Sequence, residues 1–188
     1  FITTDHPNAG PFTRYPRVIK WLMSAKARET QINAFKHKDK VLSQSAIGTL
    51  DREISLYEIA QMTRAGPAKS LGLSSMIGGL KPGMDADVVV YNFNPDKPVA
   101  DPDQIEAAFQ KASHVFKSGV EVVTDGEIVS NGNKRTLWVN AKTKENPQVM
   151  RDIQEKFLKY YSVSRANYEA LGHHIVPNPY AIEVDAGQ

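Results

Sequence analysis

The chain has 188 residues, 41% hydrophobic and 23% charged, which suits one ordinary soluble domain but falls short of the roughly 250 residues of a complete eight-fold α/β barrel. Its 23 basic and 21 acidic residues are well mixed and leave a net charge of +2, so no basic stripe marks it as a partner of nucleic acid. Absence of cysteine excludes disulfides, thiolate metal sites, iron–sulfur clusters and a cysteine nucleophile, and with no apolar run near ~18 residues and no signal peptide the expectation is a cytoplasmic protein with no membrane partner.

The chain opens with Phe1 in what reads as mid-strand and without an initiator Met, so it is expected to be part of a longer protein. Residues 1–4 are aromatic and β-branched, which suits a short buried strand. Asp5 and His6 stand where that strand must end, because Pro7, Asn8, Gly10 and Pro11 cannot continue it. A carboxylate and an imidazole at the C-terminal tip of a strand, before a kinked loop and a helix, is where α/β barrels keep their chemistry. The same pattern also suits an Asx turn or a helix-capping Asp, and on the residues alone both readings stand.

Pro16 fits the first turn of a helix whose apolar face runs Val18, Ile19, Leu22, Met23 and Ala25. The charged stretch 26–40, with Arg28, Glu29, Lys36, Lys38 and Asp39, is expected to be a solvated connection. Ser55-Leu-Tyr-Glu58 is a capping box, and Ile54 and Ile59 stand at the positions of a hydrophobic staple. They predict a helix through Ile59, Met62 and Thr63 that Gly66 stops, then a short second helix from Pro67 capped by Gly72.

The texture changes near residue 77. Lys81-Pro82-Gly83-Met84 reads as a type II turn, and residues 86–92 as a buried strand. A proline-rich span and a short helix over 105–111 lead to strands at 113–118, 120–124, 127–130 and 135–140. The joints are Gly119, Asp125-Gly126 and Asn131-Gly132, so an antiparallel β-module is expected. Asn146-Pro147 then caps a helix with the stripe Val149, Ile153, Phe157 and Tyr160, before an aromatic tail.

Gly78, Gly79 and Gly83 lack the spacing of a nucleotide loop and read as turn glycines. His173-His174 cannot place both rings on one face of a regular element and reads as surface, while His37 and His114 are isolated. Tyr160, Tyr161 and Tyr168 read as packing rather than a ligand groove. One candidate site remains, around Asp5.

The order of elements resembles the C-terminal third of the amidohydrolase superfamily. Thr63-Arg-Ala-Gly-Pro-Ala-Lys-Ser-Leu-Gly-Leu73, Gly79-Leu-Lys-Pro-Gly-Met-Asp-Ala-Asp-Val-Val-Val-Tyr91 and Val122-Val-Thr-Asp-Gly-Glu-Ile-Val129 are similar to that superfamily's passage from barrel into side sandwich. Thr4-Asp-His-Pro-Asn-Ala-Gly-Pro-Phe-Thr13, Trp21-Leu-Met23, Asp51-Arg-Glu53 and Tyr160-Tyr-Ser-Val-Ser-Arg-Ala-Asn-Tyr168 resemble the A subunits of formylmethanofuran dehydrogenase and of the related formyltransferase/hydrolase complex.

The resemblance implies an α/β plus β fold: the last strand and helices of an amidohydrolase-type TIM barrel (1–76), a portion of a composite β-sandwich (77–141) and a helical C-terminal extension (142–188). It implies a binuclear zinc site in the full-length parent that interconverts formate plus methanofuran with N-formylmethanofuran, in one-carbon metabolism. Asp5 would ligate one metal and move the proton, and His6, Asn8 and Gly10 would line the substrate channel or shape the turn. The remaining ligands, a His-x-His motif, later histidines and a bridging lysine, are not in this chain, so the fragment alone is not expected to retain zinc. The implied partners are the other formylmethanofuran dehydrogenase subunits, with self-association through open sheet edges. The alternative is a non-catalytic sandwich or assembly module of a multi-subunit redox complex.

Overall fold

The computed structural model describes residues 1–97, 99, 101–132, 135–142, 144, 146–161, 164–168 and 179–185. The chain forms two compact units, Phe1–Asn133 and Lys134–Gln188.

In the first unit a 3₁₀ turn, Phe12–Arg14, leads into α1 (Tyr15–Met23), with Pro16 in its first turn as expected. Ser24 takes an extended conformation and ends α1, and its hydroxyl accepts the Ala27 N–H at 3.2 Å to cap α2 (Ala25–Asn33). Residues 26–40 are therefore not a solvated connection. Ala27 and Arg28 are buried, at 8% and 4% exposure, and a further helix, α3 (Lys38–Ser43), follows.

Arg28 explains why this stretch folds inward. Its Nη1 donates to the carbonyls of Trp21 (2.6 Å) and Leu22 (3.1 Å), near the end of α1, where helix carbonyls lack intrahelical donors. Its Nη2 donates to Leu50 O (3.4 Å) and Arg52 O (2.8 Å). One planar donor fork thus ties three stretches of chain through main-chain oxygens.

The capping box forms as read. Ser55 Oγ accepts the Glu58 N–H at 3.3 Å, and Glu58 Oε2 accepts the Ser55 N–H at 3.0 Å. Arg52 grips the same carboxylate with two nitrogens, at 3.0 and 2.6 Å. It opens α4 (Leu56–Ala60), and the helix does not stop at Gly66. It passes through one π-helical turn (Gln61–Ala65) into α5 (Gly66–Ser70), so Gly66 and Pro67 are absorbed rather than terminating. Gly72, at φ 72°, is the true stop: Leu73 N–H reaches Ala68 O and Gly72 N–H reaches Lys69 O, a Schellman closure.

Ile19 of α1 and Ile59 of α4 meet Ile105 and Phe109 of α6 (Asp103–Gln110) in the buried core. Ile2, Ile54, Met62, Tyr91 and Phe93 pack around it, the last two with ring centroids 4.8 and 5.7 Å from that of Phe109. Lys20 pairs with Asp103 (2.9 Å) and Glu106 across the α1–α6 contact.

A four-stranded antiparallel sheet, β1 (Val88–Tyr91), β2 (Ala112–Lys117), β3 (Val120–Thr124) and β4 (Glu127–Ile128), follows in chain order. Its residues are half-buried or exposed rather than buried, Val90 and Ile128 among the exposed. Both hairpin turns, Ser118-Gly119 and Asp125-Gly126, carry positive φ (50° and 78° in each), the primed geometry that matches strand twist. Asp87 clasps the first hairpin by accepting from Lys117 Nζ and, at 2.8 Å, from the Ser118 N–H. Burial opposes its charge, but these two donors outweigh that and hold the carboxyl below its usual range.

Two expectations fail at the end of this sheet. Gly132 N–H turns back to Ser130 Oγ at 3.1 Å and Asn131-Gly132 makes no hairpin. Residues 136–142 leave the sheet: β5 (Thr136–Lys142) pairs in parallel with β6 (Pro179–Asp185), from Thr136↔Pro179 to Lys142↔Asp185. The tail is thus a strand, and Tyr180, Ile182 and Val184 supply its period-2 alternation. The helix of this second unit, α7 (Pro147–Tyr161), begins where expected, with Asn146 Oδ1 accepting from Gln148 N (3.1 Å) and Val149 N (3.3 Å). No described residue of the second unit is buried.

Arg28→Met should cost about 2–4 kcal/mol in urea unfolding, because it removes the donor from four part-buried hydrogen bonds to main-chain carbonyls. Arg28→Lys should recover only part of that, since an ammonium lacks the planar fork. Glu58 gives a pH signature. The Arg52 guanidinium, then the Ser55 amide and hydroxyl, hold its carboxyl down to about 2. A carboxyl depressed on folding stabilises above its ordinary range and loses that effect as pH falls through the folded value. The gap in urea midpoint between the wild type and Glu58→Gln should therefore be widest at pH 6 and close progressively between about pH 5 and pH 2.

Candidate functional site

The loop after residue 4 is built mainly by main-chain bonds. The carbonyl of Asp5 accepts both Ala9 N–H (3.0 Å) and Gly10 N–H (3.1 Å), which folds residues 6–9 into a closed turn that contains a cis His6–Pro7 peptide. His6 Nδ1 accepts the Phe12 N–H at 3.3 Å, and its ring lies on Phe12 with centroids 4.7 Å apart. That bond engages Nδ1 as an acceptor and leaves Nε2 without a partner among the described residues. Gly10 is not sterically demanded, since a Cβ there would meet Thr4 Cβ at an ordinary 3.5 Å.

The four singled-out residues do come together in one turn, but with different commitments. Asp5 is exposed, and its carboxylate bonds to no described residue. The Asn8 side chain is likewise uncommitted among the described residues, whereas Gly10 is used through its amide. The helix-cap and Asx-turn readings of Asp5 both require its side chain to accept a nearby N–H. The closure instead uses its main-chain oxygen.

The segment leading into Asp5 is not the buried strand expected. Phe1 is 71% exposed, and the one main-chain tie of residues 1–4 to another described element is Ile2 N–H to Met62 O at 3.3 Å, in the π turn. A strand exists by ladder pairing, and the described residues offer it a helix carbonyl in place of a neighbouring strand.

Elsewhere, His114 is not isolated. Its Nδ1 lies 2.7 Å from Glu121 Oε1 on one face of the sheet, and that contact, with a bond from Thr124, lowers the Glu121 carboxyl. The two-residue turn Ser118-Gly119 was the available signal, because its register sets Glu121 opposite Phe116, one diagonal from His114. His37 precedes α3 without capping it, Tyr160 and Tyr161 are exposed although the Tyr161 ring packs on Phe157 with centroids 5.3 Å apart, and His173-His174 lie outside the described residues. No group of three or more His, Cys, Asp or Glu among the described residues could hold a metal. Among them, too, no helix is long and apolar enough to cross a membrane.

Residues 1–130 match the model of the amidohydrolase family. The chain belongs to this family. As an amidohydrolase it is 46% identical over 169 residues to Protein FwdA of Methanocaldococcus jannaschii and 39% identical over 158 residues to the A subunit of the formyltransferase/hydrolase complex Fhc of Methylorubrum extorquens. These alignments take in 89% and 83% of this chain but only 29% and 27% of the relatives. The crystal structure of the formyltransferase/hydrolase complex FhcABCD from Methylorubrum extorquens, in complex with methylofuran, matches 98% of this chain with a TM-score of 0.70 and 31% identity, over 32% of the chain matched. The likeness to FwdA and to the Fhc A subunit, read from residues 4–13 and the later motifs, extends over most of this chain.

Proposed function

We propose that this chain is part of the A subunit of a formylmethanofuran dehydrogenase or formyltransferase/hydrolase complex, and that the whole subunit interconverts formate and a methanofuran-type amine with the N-formyl amide. The observation that carries the proposal is the Asp5 carboxylate, exposed at a loop tip and left unengaged while its own carbonyl closes the turn. In this reading residues 1–4 are the outgoing end of the last strand of a metal-dependent barrel, residues 77–132 contribute to a side sandwich, and the unit from Lys134 onward extends the subunit.

An uncommitted carboxylate is a hard oxygen donor that fits zinc as one ligand of a set, and the set would be completed by residues beyond those described. Zinc, when bound, supplies Lewis acidity toward the formyl carbonyl and makes water a stronger nucleophile. Asp5 moves the proton. In hydrolysis it takes the proton from the water that adds to the formyl carbon, then delivers it to the amine nitrogen as the C–N bond breaks. Formate and free amine result, and the reverse path makes the amide. His6 Nε2 and the Asn8 amide are the groups left to face substrate, and Gly10 holds the turn. The partners in this reading are the other subunits of the complex, supported by the FhcABCD match, and open sheet edges favour self-association when they are absent.

The assembly-only reading also has an observation in its favour: Trp138, Val139, Tyr160 and Tyr180 of the second unit are exposed apolar surface. Asp5→Asn in the full-length subunit separates the two. The proposal expects turnover to fall at least ~100-fold with the melting temperature kept, the scale for losing a positioned general base. Unchanged turnover would overturn the catalytic assignment, and unchanged turnover together with a stability loss of about 1 kcal/mol would assign Asp5 to structure.

A further inference from the structure

The helix that begins at Ser55 carries an irregularity at the point where it touches the segment leading to Asp5. In a regular α-helix the Gly66 N–H would bond to Met62 O, and residue 67 would donate to Thr63 O. Here the Gly66 N–H reaches one residue further back, to Gln61 O, which makes the π turn. Pro67 has no N–H with which to replace it. The Met62 carbonyl is thereby left without its intrahelical donor, and it accepts Ile2 N–H at 3.3 Å instead. Gly66 permits this register, since a Cβ there would stand 3.0 Å from Gln61 O and 3.9 Å from Phe1 Cβ.

We infer that Gly66 and Pro67 are positioning residues: they free the Met62 carbonyl as a main-chain peg for Ile2, and through it set the direction in which Asp5 leaves the core. Ile2 also packs against the core that contains Ile59, so the segment is held by one hydrogen bond and one side chain, three residues before the carboxylate. The role of Asp5 in this inference rests on the function proposed above; the peg itself does not. A carboxylate that ligates metal and transfers a proton tolerates little displacement, and misplacement by ~1 Å is enough to lower turnover severely. A π turn in place of a regular one is a way to offer a free carbonyl without ending the helix.

The test uses the full-length subunit in its complex, with Pro67→Ala, which restores an N–H, and Gly66→Ala, which crowds the π register. Amide exchange at Ile2 should speed up about tenfold in each, the equivalent of one backbone bond. Formamide turnover should fall about tenfold with KM unchanged and the melting temperature of Pro67→Ala not lowered. Met62→Leu should leave exchange and turnover as they were, because the contact is made by the main chain. Unchanged Ile2 exchange in both variants overturns the peg, and faster exchange with undiminished turnover overturns the positioning role. Asp5→Asn is the control that keeps the two proposals apart. If it leaves turnover intact the active-site reading falls, and with it the positioning role, while Ile2 exchange still decides whether Met62 holds the segment.

Discussion

A proline inside a helix removes one amide hydrogen, and around Pro67 the chain arranges its neighbours to suit that loss. The ladder slips to a π register at Gly66, and the helix continues to its glycine stop six residues later, at Gly72. Gly78 then comes close to the same helix: a Cβ there would fall 2.5 Å from Ala68 Cβ and 2.9 Å from Arg64 O. Only a glycine, here also at φ 86°, lets the chain pass so near. The Met76 carbonyl receives the Asp85 N–H at 2.8 Å, and the chain is led into the sheet. One irregular turn thus organises both the approach to Asp5 and the exit toward β1.

Main-chain oxygens do much of the holding in this molecule. Arg28 ties four of them from inside the core, Met62 takes Ile2, and the Asp5 carbonyl takes two amides at once. The consequence at Asp5 is a division of labour between carbonyl and carboxylate. Where a turn is closed by the side chain, as at Ser55 and Asn146, the polar group is spent on structure. At Asp5 it is not, and an acid left free beside a closed turn is a group that chemistry can use.

Much of this was legible from local pattern. The capping box at Ser55, the turn at Pro82-Gly83, the hairpin at Asp125-Gly126 and the start of α7 at Asn146 each follow from groups that bond within four residues. What was not legible depends on long-range partners. Residues 26–40 look solvated because their charges dominate, yet Arg28 is buried by carbonyls that lie up to 24 residues away. Residues 136–142 have strand composition, but their mate is 43 residues on and parallel, which no turn signal announces. Residues 1–4 have strand composition too, and composition does not supply a ladder. At the site, residue types and loop were readable in advance. That the Asp5 carbonyl rather than its carboxylate closes the turn was not, because both atoms belong to the same residue and suit the same spacing.

The central claim is that the Asp5 carboxylate faces a metal in the assembled subunit. Anomalous diffraction at the zinc edge from crystals of the full-length subunit in its complex tests it most directly. The account predicts a zinc peak within about 2.0–2.2 Å of one Asp5 carboxylate oxygen. Zinc peaks coordinated elsewhere, with the Asp5 carboxylate in solvent or bonded to a backbone amide, would contradict it.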